Sequence, residues 1–239
     1  MFHVKHVGLA GAPPAAARVF GDNLTAVGRY AELLAGAGVE RGLIGPREAD
    51  ILWDRHLLNS AAVGELIPTG VRVVDAGSGA GLPGIPLALA RPDLVIFLVE
   101  PMLRRTTFLH EAIEVVGTPI LVVRGRVEDR AVREDIGPVD VVVCRAVASL
   151  DKLIRWCNPL LVPGGRLLAI KGEQAEEEVA RLGSQRGNHR ARLGAGAIEV
   201  VRCGQDYLDP PVTVVVVEKD RQRSESRRRH GAGGIDERA

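Results

Sequence analysis

Asp75-Ala76-Gly77-Ser78-Gly79-Ala80-Gly81-Leu82-Pro83-Gly84 decides how the rest of this chain is read. A hydrophobic run, Val71-Arg72-Val73-Val74, precedes it, and Ile85-Pro86-Leu87-Ala88-Leu89-Ala90 follows. The order predicts a buried strand, a glycine turn and a helix. Glycine takes up backbone conformations that a Cβ forbids and lets the chain come close to a ligand. Proline fits the first turn of a helix, where its missing N–H costs nothing. Together these make the nucleotide-binding corner of a doubly wound α/β sheet.

Two ligand classes compete for that corner. Gly79-x-Gly81-x-x-Gly84 matches the dinucleotide fingerprint, which by itself is a weak signal. Read from Asp75, the stretch matches the acidic-x-Gly-x-Gly-x-Gly pattern of S-adenosylmethionine (SAM) methyltransferases. A dinucleotide lays its pyrophosphate over the turn, against the helix N-terminus, where Asp75 would repel it. SAM carries an ammonium and a sulfonium and no phosphate, so an acid at the strand end favours SAM.

The 239 residues fit one α/β domain with a modest extension, and 46% apolar content is ample for its core. The formal charge is +1, unevenly placed: residues 221–239 hold six Arg against three acids, leaving residues 1–220 slightly acidic. A polyanion would therefore meet a local patch and not a generally basic body. Arg outnumbers Lys 27 to 4, which fits a G+C-rich coding sequence. Eight aromatics are too few for a base-stacking platform on single-stranded nucleic acid. Cys144, Cys157 and Cys203 have neither disulfide-framework nor zinc-site spacing, so no metal is expected. No signal peptide or membrane-length apolar run is read, and the expected location is cytoplasmic.

Along the chain, residues 1–14 read as disordered and a helix is expected from about Ala15 to Leu34, ended by Gly36 and Gly38. A second helical segment runs from Pro46 to about Leu66, so residues 1–70 form an N-terminal helical extension. Residues 71–220 form the main domain, with strands at 71–76, 94–100, 119–124, 139–145 and 165–171 alternating with helices, hence a parallel sheet. Two further runs, 197–203 and 212–217, have no room for a helix between them and should pair antiparallel. A doubly wound sheet closed by an antiparallel hairpin is the Rossmann-like variation used by SAM methyltransferases. Residues 181–196 read as a Gly- and Arg-rich loop, and 221–239 as a disordered basic tail.

Ligands bind such sheets at the carboxyl ends of the strands. There stand Asp75, Glu100, Arg126-Val127-Glu128, Arg145 and Lys171. Asp75 and Glu100 make one half of the crevice acidic and suited to an adenosine cofactor with a cationic sulfur. Arg145 and Lys171 make the other half basic and suited to an anionic substrate. The fourth strand lacks an Asn/Asp-Pro-Pro-aromatic run, and Cys144 follows Val143 inside a buried strand, so exocyclic amines and ring carbons are disfavoured as methyl acceptors. No catalytic acid–base pair is assigned.

Arg55-His56-Leu57-Leu58-Asn59-Ser60, the loop from Asp75 to Gly84, Arg126-Val127-Glu128, Arg145-Ala146-Val147-Ala148-Ser149-Leu150 and Lys171-Gly172, in this order, resemble the glucose-inhibited division protein B family. That family methylates guanine N7 in bacterial small-subunit ribosomal RNA, and the resemblance covers roughly residues 20–218. It implies SAM contacts from Gly77, Leu82, Val127, Glu128 and Arg145, to which the motif reading adds Asp75, Gly79 and Glu100. Glu128 is expected to meet the adenine amine and Glu100 the ribose. Arg145 falls near the cofactor in the family and on the substrate side by charge, so it can serve both. Arg55, His56 and Lys171 are expected on the RNA side. Many relatives carry Asp where Asn59 stands.

The expected activity is methyl transfer from SAM to guanine N7 of 16S rRNA near the decoding centre, on the RNA or the small ribosomal subunit. A methyltransferase for a small molecule or protein, a dinucleotide-dependent oxidoreductase and a non-catalytic RNA-binding module are the alternatives.

Overall fold

The computed structural model describes residues 11–145, 148–184 and 189–221. Its strands are β1 Arg72–Ala76, β2 Val95–Glu100, β3 Leu121–Arg124, β4 Val139–Arg145, β5 Leu161–Lys171, β6 Ala195–Cys203 and β7 Val212–Lys219. They form one sheet in the order β3-β2-β1-β4-β5-β7-β6. The first five run parallel, and β7 is antiparallel to both β5 and β6. The expected hairpin is therefore present, with its second strand inserted beside β5.

Alternation along the strands builds two cores. Val73, Ile96, Leu98, Val141, Val143, Leu168 and Val214 pack on one face. Their chain neighbours Val74, Phe97, Val99, Val142, Cys144, Leu167 and Val215 pack on the other. Successive side chains of a strand point to opposite faces, and a sheet covered on both faces reads as unbroken hydrophobic runs.

The first face is covered by α1 Pro14–Phe20, α2 Leu24–Leu33, the helical stretch from Pro46 to Leu66 that contains α3 Asn59–Ala62, α4 Gly84–Ala90 and α5 Leu103–Val116. The second is covered by α6 Arg130–Ile136, α7 Leu150–Cys157 and α8 Ala175–Ser184. The helices before β1 thus share a core with the sheet.

The structure corrects three local readings. The first helix is broken at Gly21 (φ +48°) and does not stop at Gly36 or Gly38; it continues through a π-helical turn, Leu34–Gly38, and closes at Gly42 (φ +65°). A glycine ends a helix when its φ turns positive, and neither Gly36 nor Gly38 does so. Of the segment 181–196, residues 181–184 complete α8 and His189–Arg192 form α9. Leu182 is buried in the second core, and Glu176, Glu177 and Glu178 in the first turn suit the helix dipole. β5 begins at Leu161, four residues earlier than expected, and its register shifts across Gly164 and Gly165 before it pairs regularly with β4. The readings of residues 1–10 and 222–239 fall outside the described residues, as do Ala146 and Val147.

Candidate active site

The turn after β1 is set by its glycines. Gly77, Gly79 and Gly81 have φ of +77°, +57° and +97°. A Cβ on Gly84 would lie 2.3 Å from Leu98 Cδ2 and 2.8 Å from Asp75 Oδ2, so only glycine fits where α4 crosses β1 and β2. Gly77 and Ser78 donate backbone hydrogen bonds to Val99 O at 2.9 and 3.1 Å, tying the turn to β2. Tyr30, fully buried on α2, donates its hydroxyl to Ala80 O at 2.7 Å.

Asp75 is placed differently from its expected role. It is fully buried, and its Oδ2 accepts the Gly84 N–H at 2.9 Å. Its Oδ1 has no partner among the described residues. Burial pushes its carboxyl up to about 7. It lines neither cavity described below. It instead holds α4 against the sheet. The N–H groups of Gly79, Gly81, Leu82, Gly84 and Ile85 are all bonded within the chain. Pro83 has none, so this turn offers no row of free donors to a pyrophosphate, unlike a dinucleotide-binding turn.

A cavity of about 530 Å³ opens beside the turn. Gly77, Glu100, Val127, Glu128 and Arg145 line it, with Met102, Leu153 and Trp156 as apolar walls. Glu100 is almost fully buried; its carboxylate accepts the N–H groups of Gly79 and Met102, both at 3.0 Å, and stands 3.5 Å from Arg105. Glu128 is partly exposed and 3.9 Å from Arg126. Gly79 and Leu82 shape the turn without lining the cavity. Because Asp75 is withdrawn while Arg105, Arg126 and Arg145 stand in the wall, this half of the crevice is mixed in charge and not acidic as expected.

A second cavity, of about 930 Å³, lies on the other side of Arg145, which lines both. Arg55, His56, Asn59, Lys171 and Arg202 border it, and so do Glu48, Asp54, Glu173 and Asp209. It too is mixed where a basic half was expected. Lys171 Nζ is held by Glu178, 2.9 Å away, and by Ala148 O at 2.8 Å, so its charge is largely neutralised within the chain. Arg55 is two-thirds exposed, 3.5 Å from Glu48. His56 is buried between Glu48, at 2.6 Å from Nε2, and Arg145, at 2.9 Å from Nδ1. Burial, then the Arg145 charge, holds the imidazole below its usual value. Burial also lowers Arg145 from the usual guanidinium range.

Sequence reasoning missed Glu48, Tyr30 and Trp156. Glu48 offered no signal, being one acid in a charged run; Trp156 is one of only two Trp in the chain and lies three residues from Leu153 on α7. Cys144 is buried, and burial pushes its thiol up to about 12, so it is a small hydrophobe and no nucleophile at neutral pH.

Comparison with known proteins supplies a family. The model described as rRNA small subunit methyltransferase G (GidB) matches residues 23–192. A protein of Mycolicibacterium gilvum named ribosomal RNA small subunit methyltransferase G is 62% identical over 216 residues, covering 89% of this chain and 92% of the relative. One of the same name from Mycolicibacterium paratuberculosis is 51% identical over 252 residues, covering 98% and 99%. Among solved structures, the pyocyanin biosynthetic protein PhzM is similar with a TM-score of 0.51 at 15% identity, over 87% of this chain and 67% of that one, a likeness of fold alone.

Proposed function

Since the chain belongs to the rRNA small subunit methyltransferase G family, we propose that it transfers a methyl group from SAM to N7 of a guanine in 16S rRNA. The observation that carries this reading is Arg145, which lines two adjoining cavities at the carboxyl rim of the sheet. The smaller is the cofactor cavity and the larger admits the base.

The smaller cavity suits SAM. Glu100 is fixed through two backbone N–H groups and keeps lone pairs for ribose hydroxyls. Gly77, Val127 and Glu128 line the cavity; in this reading Glu128 accepts from the adenine amine, Val127 gives an apolar contact and Gly77 leaves room at the turn. When bound, SAM supplies an electrophilic methyl to the in-plane lone pair of N7, which carries no proton, so no general base is required. The chain's own work is to orient two reactants and exclude water. Correct orientation alone is worth about 7–11 kcal/mol of barrier. Trp156, Leu153 and Met102 contribute apolar wall to that exclusion.

The test is in cells. N7-methylguanine weakens its glycosidic bond, so borohydride and aniline cleave RNA at the modified nucleotide. A single cleavage site in 16S rRNA should be present in the parent strain, vanish on deletion of the gene and return with the wild-type protein. A methyl group mapped to an exocyclic amine, a ring carbon or a ribose oxygen would overturn the reading.

A further inference from the structure

Arg145 ends β4 between the two cavities, and among the described residues His56 is the one side chain that hydrogen-bonds its guanidinium. His56 sits on a π-helical turn, Trp53–Leu58, and Glu48 on the 3₁₀ stretch Pro46–Ile51 just before it. Such π turns recur at functional sites.

The chemistry of these three groups leaves one arrangement. A carboxylate only accepts, so the Glu48 contact at 2.6 Å requires a proton on His56 Nε2. A guanidinium only donates, so the Arg145 contact at 2.9 Å requires a bare Nδ1. Both hold together only in the neutral Nε2–H tautomer. The other tautomer sets N–H against N–H at Arg145, and the imidazolium adds a second positive charge there.

We infer that His56 is a positioning residue for Arg145, and that Glu48 selects the tautomer that lets it be one. The hydrogen bond to Nδ1 anchors one end of the guanidinium and leaves its other donors for groups in the two cavities. The helices before β1 thereby help set the geometry where methyl donor and acceptor meet. This rests on the methyltransferase reading for its kinetic consequence, but not for its geometry.

The groups facing this pair are few. Arg145, Glu48 and Arg55 act on His56, and Tyr30, Asp75, Glu48 and Arg55 act on Arg145. Glu48 raises the pKa of His56, while burial and both arginines lower it. Protonation should therefore set in below pH 6.5, and removing the Glu48 charge should move it lower still.

Two measurements on the full chain decide the matter. Nitrogen-15 NMR of the imidazoles, with His56 assigned by loss of its signals in His56→Asn, should show the Nε2–H tautomer at pH 7.5. The midpoint should lie below 6.5 and fall in Glu48→Gln. Methyl transfer to 16S rRNA is then followed against pH. His56→Asn places an amide oxygen near Nδ1, so it should keep at least a tenth of wild-type kcat at pH 8 and lose the acid limb due to His56. His56→Leu has no acceptor and should lose at least tenfold in kcat, more than KM for RNA rises, with thermal melting to confirm folding. An Nδ1–H tautomer or an imidazolium at pH 7.5 would overturn the inference. So would equal kcat in folded Asn and Leu variants, or, should the Leu variant not fold, an acid limb unmoved in His56→Asn. The expected NMR result without methyl transfer by the wild type would sink the functional reading while leaving the hydrogen-bonded chain intact.

Discussion

Arg145 and Asp75 are both acids or bases at strand ends, yet burial gives them different work. Arg145 keeps access to two cavities, so Arg145→Ala should lower methyl transfer at least tenfold at saturating SAM and RNA without unfolding the chain. Turnover equal to wild type would make it a bystander. Asp75 is sealed in and holds Gly84, with its carboxyl pushed from about 3.8 to about 7 by burial. Its native pKa lies above that of the unfolded chain, so the stability linked to its protonated form is full below about pH 4. That stability is lost as pH rises toward 7. The melting temperature of wild type minus that of Asp75→Asn should therefore fall from about pH 4 to about pH 7 and level off above. Comparison with the variant removes the opposing effect of His56, whose lowered pKa costs stability only as pH falls. A difference that is flat with pH would show that Asp75 does not titrate in this range.

The glycine turn was legible in the sequence because the physics that shapes it is local: Gly77, Gly79 and Gly81 all adopt the positive φ that a Cβ resists. The strands were legible because a sheet covered on both faces leaves unbroken apolar runs such as Val141-Val142-Val143-Cys144. What could not be read was how distant pieces close on the turn. Nothing near Tyr30 announces that its hydroxyl reaches Ala80, 50 residues on, nor does the run around Glu48 announce an imidazole eight residues later. The charge argument from Asp75 reached the right ligand class, but strand-end position does not say which way a carboxylate turns, and Oδ2 of this one accepts the Gly84 N–H. The tie from α2 has its own test. Tyr30→Phe leaves a buried carbonyl without its donor, which should cost about 1 kcal/mol of stability. Because Ala80 lies in the turn, SAM affinity measured by calorimetry should also weaken a few-fold. A lower melting temperature with unchanged SAM affinity would mean that α2 supports the fold but does not set the turn.

Taken together, the chain presents RNA with a body that is close to neutral. Both cavities mix acids with bases, Lys171 is paired with Glu178, and residues 1–220 carry slightly more acid than base. Shape and a few placed donors must then select the substrate, while generic attraction to phosphate has to come from elsewhere. Residues 222–239 hold five Arg, three of them consecutive at Arg227-Arg228-Arg229, against three acids. Ile235 is the one large apolar side chain in this stretch, so the stretch has little to bury in a core. Deleting 222–239 should accordingly leave SAM affinity and melting temperature unchanged while weakening RNA binding. The loss should be greatest at low salt, because each phosphate contact releases counterions and contributes about 0.7–0.9 to the slope of log affinity against log salt. If the arginine run meets two or three phosphates, the truncated chain's slope should be shallower by about 2. Binding to 16S rRNA measured from about 50 to 300 mM salt decides this. Parallel lines for the two chains would remove the tail from the RNA contact and leave recognition to the surface around Arg145.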